Sequence, residues 1–514
     1  MWETKVKFAK ICAIVVSVWL SGQAAIAQED DTTVSGLMKK GHETGDWDSV
    51  ISSINAFRYS PAWRDVPSEE RAIILFHRGI AELHRDLESD DETWNGSFLE
   101  ALLEKPDYPD ANFLQFDQDV VDGNYEDAVS RLTYFSHIPH LRDRIATETL
   151  RFLVSDLIYH QDEDSLKTLV NELSETYKPS FSYAGGDFLK VERARLLLAS
   201  GRKQEAFAVV GTILSAYSMM RVRTEGDFRE LWRIAGFDAI ADVNRLIQAQ
   251  AAALPGIIEA SPDRLQPVSE LIDMHLALGD TEAAFVLTQR YADRIFSPRN
   301  FKYVDAEPFG RNILRAHAIL LEQRGDISGA RRMFLRTALG DRSSLTQGPS
   351  VNQMFEEMRR AVRLGKDPAP SAWMEGASLT GLSDQGLGWL DIYESISDLM
   401  KAGSPVPEIS LSELEDDGGW RQAPIAFLYI FLYLDQAATG DLMLAILENP
   451  AWSRELIAMA QPHPVLLPDL PGSPGERMSR DFQALLNRPD IAAALSRAGR
   501  LESYPGVYRL YSAP

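Results

Sequence analysis

Several groups of residues in this 514-residue chain have the types and spacing that chemistry would need. Arg324-Gly325-Asp326 spells a tripeptide that adhesion receptors read. His137 and His140 stand three apart, and His77 and His84 seven apart, so each pair could share a metal ion. Gly381-Leu382-Ser383-Asp384-Gln385-Gly386 sets a serine between glycines, much as a hydrolase sets its nucleophile. Arg221, Arg223, Arg229 and Arg233 gather cations in an acidic chain, where an anionic partner could meet them.

The surroundings of these residues argue against most of that chemistry. Pro139 lies between His137 and His140 and spoils a shared helical face. A zinc site also wants three or four ligands, each held by a further group, so the histidines are expected to be structural or superficial and no metal is expected. The serine has one residue too many before its second glycine, and a nucleophile elbow needs a strand-to-helix turn. Phosphate-cradling G-x-x-x-x-G-K-[ST], dinucleotide-binding G-x-G-x-x-G and metalloprotease H-E-x-x-H are all missing. With 75 acidic residues, no carboxylate pair can be chosen on spacing alone. The four arginines stand beside Glu225, Asp227 and Glu230, which reads as a salt-linked surface. No catalytic residue and no cofactor are expected.

The elements that must position these groups are helices. Period-2 alternation of β-branched residues is nearly absent, so the fold is expected to be all-α. One pattern recurs: a helix-period apolar stretch, a glycine, a polar turn former, then, five residues after the glycine, alanine, with Val50 in its place in the first copy. Gly45, Gly123, Gly201 and Gly279 open four copies at intervals of 78 residues, and Gly325 opens another. Weaker copies lie near Gln161 and Gly236, and Gly440 repeats the spacing once more. Glycine ends a helix because it accepts the left-handed conformation, and Asp or Asn then caps the next one. Alanine, as at Ala330, lets the second helix lie close, and a larger apolar group such as Leu132, Val210 or Phe334 follows on the same face. On this reading Arg324-Gly325-Asp326 is a bend between packed helices.

The stretch from Gly325 to Phe334 resembles the tetratricopeptide repeat, a helix–turn–helix unit of about 34 residues. Ala318 and Ala194 match the family's small residue in the first helix. The usual tryptophan near the start of that helix is missing, the closing proline is mostly absent, and the unit spacing is looser. The resemblance implies a right-handed α-solenoid over residues 28–345. It also implies that first helices line a concave groove able to hold an extended peptide or a partner's helix. Its groove-facing residues would be Arg195, Asp273, Asn312, Arg315, Ile319 and Glu322. From 346 to 514, helical stretches alternate with Pro- and Gly-rich breaks, either as a continuation of the superhelix or as a separate region.

Compartment is read from the first residues. Lys5, Lys7 and Lys10, the apolar run Ile11–Leu20 and Ala25-Ile26-Ala27 have the form of a cleavable secretory signal over residues 1–27. The run is too short to span a bilayer comfortably, although retention as an anchor is the competing reading. An exported protein is expected, periplasmic if the source is bacterial. The single cysteine, Cys12, lies in that segment, so the mature chain is expected to form no disulfide. The formal charge is −23, and removing residues 1–27, with three Lys and one Glu, leaves −25. Such a surface repels nucleic acid and anionic headgroups. The function expected is a non-catalytic scaffold that holds a protein or peptide partner in its groove. The alternatives are an enzyme or accessory acting on envelope glycan, with its site between the array and the C-terminal helices, and a structural spacer.

Overall fold

The computed structural model describes residues 34–86, 93–121, 124–138, 145, 147–159, 162–296, 303, 305, 309–339, 351–370, 384–402, 424–462 and 469–504. The signal-like segment, Gly123, His140 and the serine stretch at 381–383 lie outside the described residues, as does the side chain of His84. Among the described residues every regular element is helical, and the β pairing present is an isolated antiparallel bridge between Glu225 and Gly499. The fold is all-α.

The chain divides into two compact units, Met1–Tyr177 and Lys178–Pro514, so the change of sequence character near residue 345 falls inside the second unit. The first holds α1 (Val34–Thr44), α2 (Trp47–Arg58), α3 (Ser68–Asp86), α4 (Thr93–Glu104), α5 (Pro109–Val121), α6 (Tyr125–Ser136), α7 (Thr147–Tyr159) and α8 (Glu163–Thr176). These pack as successive hairpins, α1 on α2 through α7 on α8. Arg71 ties α3 to Glu104 of α4 at 2.5 Å, and Arg131 ties α6 to the buried Asp119 of α5 at 2.6 Å.

The second unit begins with the hairpin α9 (Asp187–Ala199) and α10 (Lys203–Val210). An irregular stretch follows: α11 (Ala216–Thr224), two short 3-10 turns, the four-residue α12 (Phe237–Ile240) and α13 (Val243–Ala260). Two further hairpins come next, α14 (Gln266–Ala277) with α15 (Thr281–Ile295), and α16 (Arg311–Gln323) with α17 (Ile327–Leu339). The C-terminal helices are α18 (Val351–Arg363), α19 (Asp384–Ala402), α20 (Pro424–Leu434), α21 (Thr439–Glu448), α22 (Pro450–Ala460), α23 (Pro474–Leu486) and α24 (Pro489–Ala498). Helix α18 packs on α17, where Arg360 lies over the Phe334 ring, and Arg360 also bonds Glu322 of α16 at 2.7 Å.

The bends share one construction. Gly201, Gly279 and Gly325 have φ of 74°, 75° and 87°. Each glycine N–H donates to the carbonyl three residues back, and the next N–H donates five back: Arg202 to Leu197, Asp280 to His275 and Asp326 to Leu321, at 2.8 to 2.9 Å. This two-bond closure satisfies the orphan carbonyls of the first helix and needs a left-handed residue. Asp280 and Asp326 then accept from the N–H groups of Ala283 and Gly329, at 3.0 and 2.8 Å, and cap the second helix. Beyond the bend, Ala128, Ala206, Ala284 and Ala330 are fully buried. Four residues further, Leu132, Val210, Thr288 and Phe334 are buried too. Small-then-large spacing on one face lets the two backbones approach and then fills the widening gap.

Two of the weaker copies depart from this. Gly236 is left-handed at 86° but opens only the four-residue α12. Gly440 sits inside α21, and the bend before that helix falls on Asp435, with φ of 54° and the Gln436 N–H bonded to Phe431. At Asp162 the backbone N–H donates to the Leu157 carbonyl at 3.0 Å and the side chain caps α8 by accepting from the Ser165 N–H at 3.1 Å; Gln161 lies outside the described residues.

Candidate functional site

Helices α14 and α16 are first helices of neighbouring hairpins and pack directly on each other. Ser269, Asp273 and Leu276 lie on one face of α14, and Asn312, Arg315 and Ile319 lie on one face of α16, at the spacings that share a helical side. The two faces line an open cavity of about 320 Å³. Ile272, Ile313, Ile319 and Leu320 are buried and form an apolar floor. Asn312 is exposed, and Asp273, Arg315 and Ser269 are half-buried at the rim. Ala277 and Ala316 leave the room that larger residues would fill. Tyr217 of α11 completes the lining; the residue stays 43% exposed, yet crowding around its hydroxyl and the nearby Asp273 carboxylate both push its pKa up.

Four of the six residues chosen from the sequence for a groove thus meet at one place: Asp273, Asn312, Arg315 and Ile319. Glu322 stands apart, bonded to Arg360. Arg195 is drawn away by the irregular stretch inserted after α10. Its guanidinium contacts Glu192, Glu225 and, at 2.7 Å, Asp227. Arg221 bonds the same Glu192 and Glu225 at 3.0 and 2.7 Å. Burial pushes the Arg195 pKa down to about 10. Burial alone would push Glu225 up, but the charges of Arg221 and Arg195 outweigh it and hold that carboxyl below its usual range. Tyr217 was missed because its helix belongs to the insertion, which has no counterpart in the repeat pattern.

No family model, curated protein or solved structure matches the chain.

Arg324, Asp326 and His77 among the other flagged residues are engaged in packing. Arg324 pairs with Glu282 and covers the Phe285 ring, and Asp326 is the cap of α17, so both charged ends of the tripeptide are engaged at the bend. His77 is buried against Phe76, and burial drives its pKa down to about 4. His317 meets the Thr288 hydroxyl at 3.1 Å through Nδ1, and its pKa is also lowered by burial. Among the described residues no group of three or more His, Cys, Asp or Glu is arranged to hold a metal ion. No described helix is long and apolar enough to cross a membrane.

A second cleft, of about 440 Å³, lies between Glu225–Asp227, at the start of the 3-10 turn Gly226–Phe228, and the C-terminal helices α21, α22 and α24. It contains Glu225, Asp227, Glu448, Arg454 and Arg497. General acid–base work needs a carboxyl whose pKa sits near the working pH and whose oxygen can reach substrate. Glu225 meets neither demand, since Arg195 takes one oxygen and Arg221 the other. Asp227 receives both Arg195 and, at 3.1 Å, Arg454. Glu225 and Asp227 thus act as ties between helices.

Proposed function

We propose that this chain is an exported, non-catalytic scaffold of the tetratricopeptide-like kind, whose stacked hairpins coil as a solenoid and hold a polypeptide partner against α14 and α16. The observation that carries the reading is the meeting of Asp273, Leu276, Asn312, Arg315 and Ile319 around one open cavity. Asp273, Asn312, Arg315 and Ile319 are positions that the repeat resemblance turns inward, and an apolar floor with a polar rim suits a peptide. An aliphatic side chain enters the floor, while Asn312 and Arg315 hold backbone carbonyls beside it. Affinity in such a groove rests on a few anchors, so removing two rim groups should weaken binding by about tenfold or more.

The test is selection of peptide ligands from a displayed random library against the purified protein, followed by calorimetric titration of the peptides recovered. An Asn312→Ala, Arg315→Ala double variant that keeps its helical circular dichroism should bind them at least about tenfold more weakly. Recovery of no peptide, or equal binding by the double variant, would reject the reading.

A further inference from the structure

In an open helical array each hairpin touches only its neighbours, so such a chain unfolds from its ends in steps. Among the described residues, the second unit departs from that rule where its last residues run back along the chain. Residues Gly499–Tyr504 leave α24 and run back along the stretch that follows α10. Gly499 bridges to Glu225, and the Arg500 N–H donates to the Thr224 carbonyl at 2.9 Å. Arg229 donates to the carbonyls of Ser496 and Arg497 at 2.8 and 2.7 Å, taking the free C-terminal end of α24. Arg223 bonds Glu502 through both Nε and Nη2, at 2.7 and 3.0 Å, and reaches the Tyr504 hydroxyl at 3.1 Å. The Arg500 guanidinium lies 4.3 Å over the Trp232 ring. On the other side, the Gln461 side chain at the end of α22 accepts from the Glu502 N–H at 2.8 Å and donates to the Arg500 carbonyl at 3.2 Å. Tyr504 then enters the apolar core of α9, α11 and α13, alongside Val222, Phe237 and Leu246, while the core of α18–α24 is a separate cluster.

The geometry points to a latch: we propose that residues 499–504 fasten the C-terminal helices to the α11–α13 stretch, so that these two parts of the second unit open together. The contacts that do this join residues as much as 281 apart in sequence. Closing so long a loop costs conformational entropy once, after which every bond across the seam resists the same opening. The proposal is independent of the peptide-binding reading.

Hydrogen exchange followed by mass spectrometry on the full chain tests it. The comparison is with a chain ending at Ala498 and with the full-length Arg223→Met, Glu502→Gln variant. In the wild type, amides of α11–α13 and of α20–α24 should exchange in a common opening with one dependence on denaturant. In both variants α20–α24 should exchange about tenfold faster or more and uncouple from α11–α13, with α16 and α17 unchanged. If the shortened chain fails to fold, the double variant alone decides. Exchange in the double variant that matches the wild type, or separate openings in the wild type itself, would overturn the latch.

Discussion

The bends of the hairpins and the seam beside the latch both depend on glycine, for opposite reasons. At Gly201 and Gly325 the backbone is left-handed, and an added methyl group would meet nothing within 4 Å. These glycines serve conformation, in open space. At the seam, a methyl on Gly226 would stand 2.3 Å from the Ala498 carbonyl oxygen, and one on Gly499 would stand 2.3 Å from that of Thr224. Those glycines serve proximity, with ordinary backbone angles at Gly499. A bend is a local matter written in neighbouring residues; the seam brings together residues from opposite ends of the unit.

The seam should therefore be the more sensitive. Gly226→Ala or Gly499→Ala forces one backbone away from another, and overpacking of that kind costs about 3 kcal/mol. The clashing atoms are main-chain carbonyls, which cannot swing aside as the tip of a long side chain can. Urea denaturation followed by Trp fluorescence measures the loss, and an effect below about 1 kcal/mol would mean that the seam gives way cheaply.

Next in size come the bends. Gly201→Ala or Gly325→Ala keeps the space but puts a β-carbon on a left-handed residue, at about 1–2 kcal/mol. Asparagine, which tolerates that conformation, should recover part of the loss at Gly201 and Gly325. It should recover none at Gly226, where bulk is the obstacle. Equal effects of alanine and asparagine at the bends would erase the distinction between the two regions.

This contrast also explains how much of the molecule the sequence made legible. Helix phase, glycine and a following acidic cap lie within a dozen residues, so the bends at 201, 279 and 325 could be read directly, as could the buried alanines behind them. Helix phase likewise brought Asp273, Asn312, Arg315 and Ile319 to one side. Arg195 carried the same phase, but its surroundings are set by Glu225 and Asp227 in an insertion whose path no repeat rule describes. The same insertion supplies Tyr217. The cluster of Arg221, Arg223 and Arg229 was visible, yet its partners were only partly so. Glu502 and the carbonyls of Ser496 and Arg497 lie too far along the chain for spacing to connect them. Side-chain identity fixed what these arginines could bond; the long-range path of the chain decided which groups they found.

Gly440 gives the finest test, because it shares its spelling with the bends and its environment with neither region. It lies in the first turn of α21, close to the N-cap residue Ala438, while Asp435 makes the preceding bend. A methyl there would meet the Arg488 guanidinium, at 1.9 Å from Nη1. That group is the far end of a flexible side chain whose partner is the solvent-facing Asp490, at 2.6 Å. Moving it sacrifices only a solvent-screened surface ion pair, which contributes little to stability. Alanine in a helix returns a comparable amount through propensity, reduced here by the position near the helix start. Gly440→Ala should thus leave stability within about 0.5 kcal/mol of the wild type, in the same urea assay. A loss resembling that of Gly325→Ala would place Gly440 among the left-handed bends and undo the reassignment of that turn to Asp435.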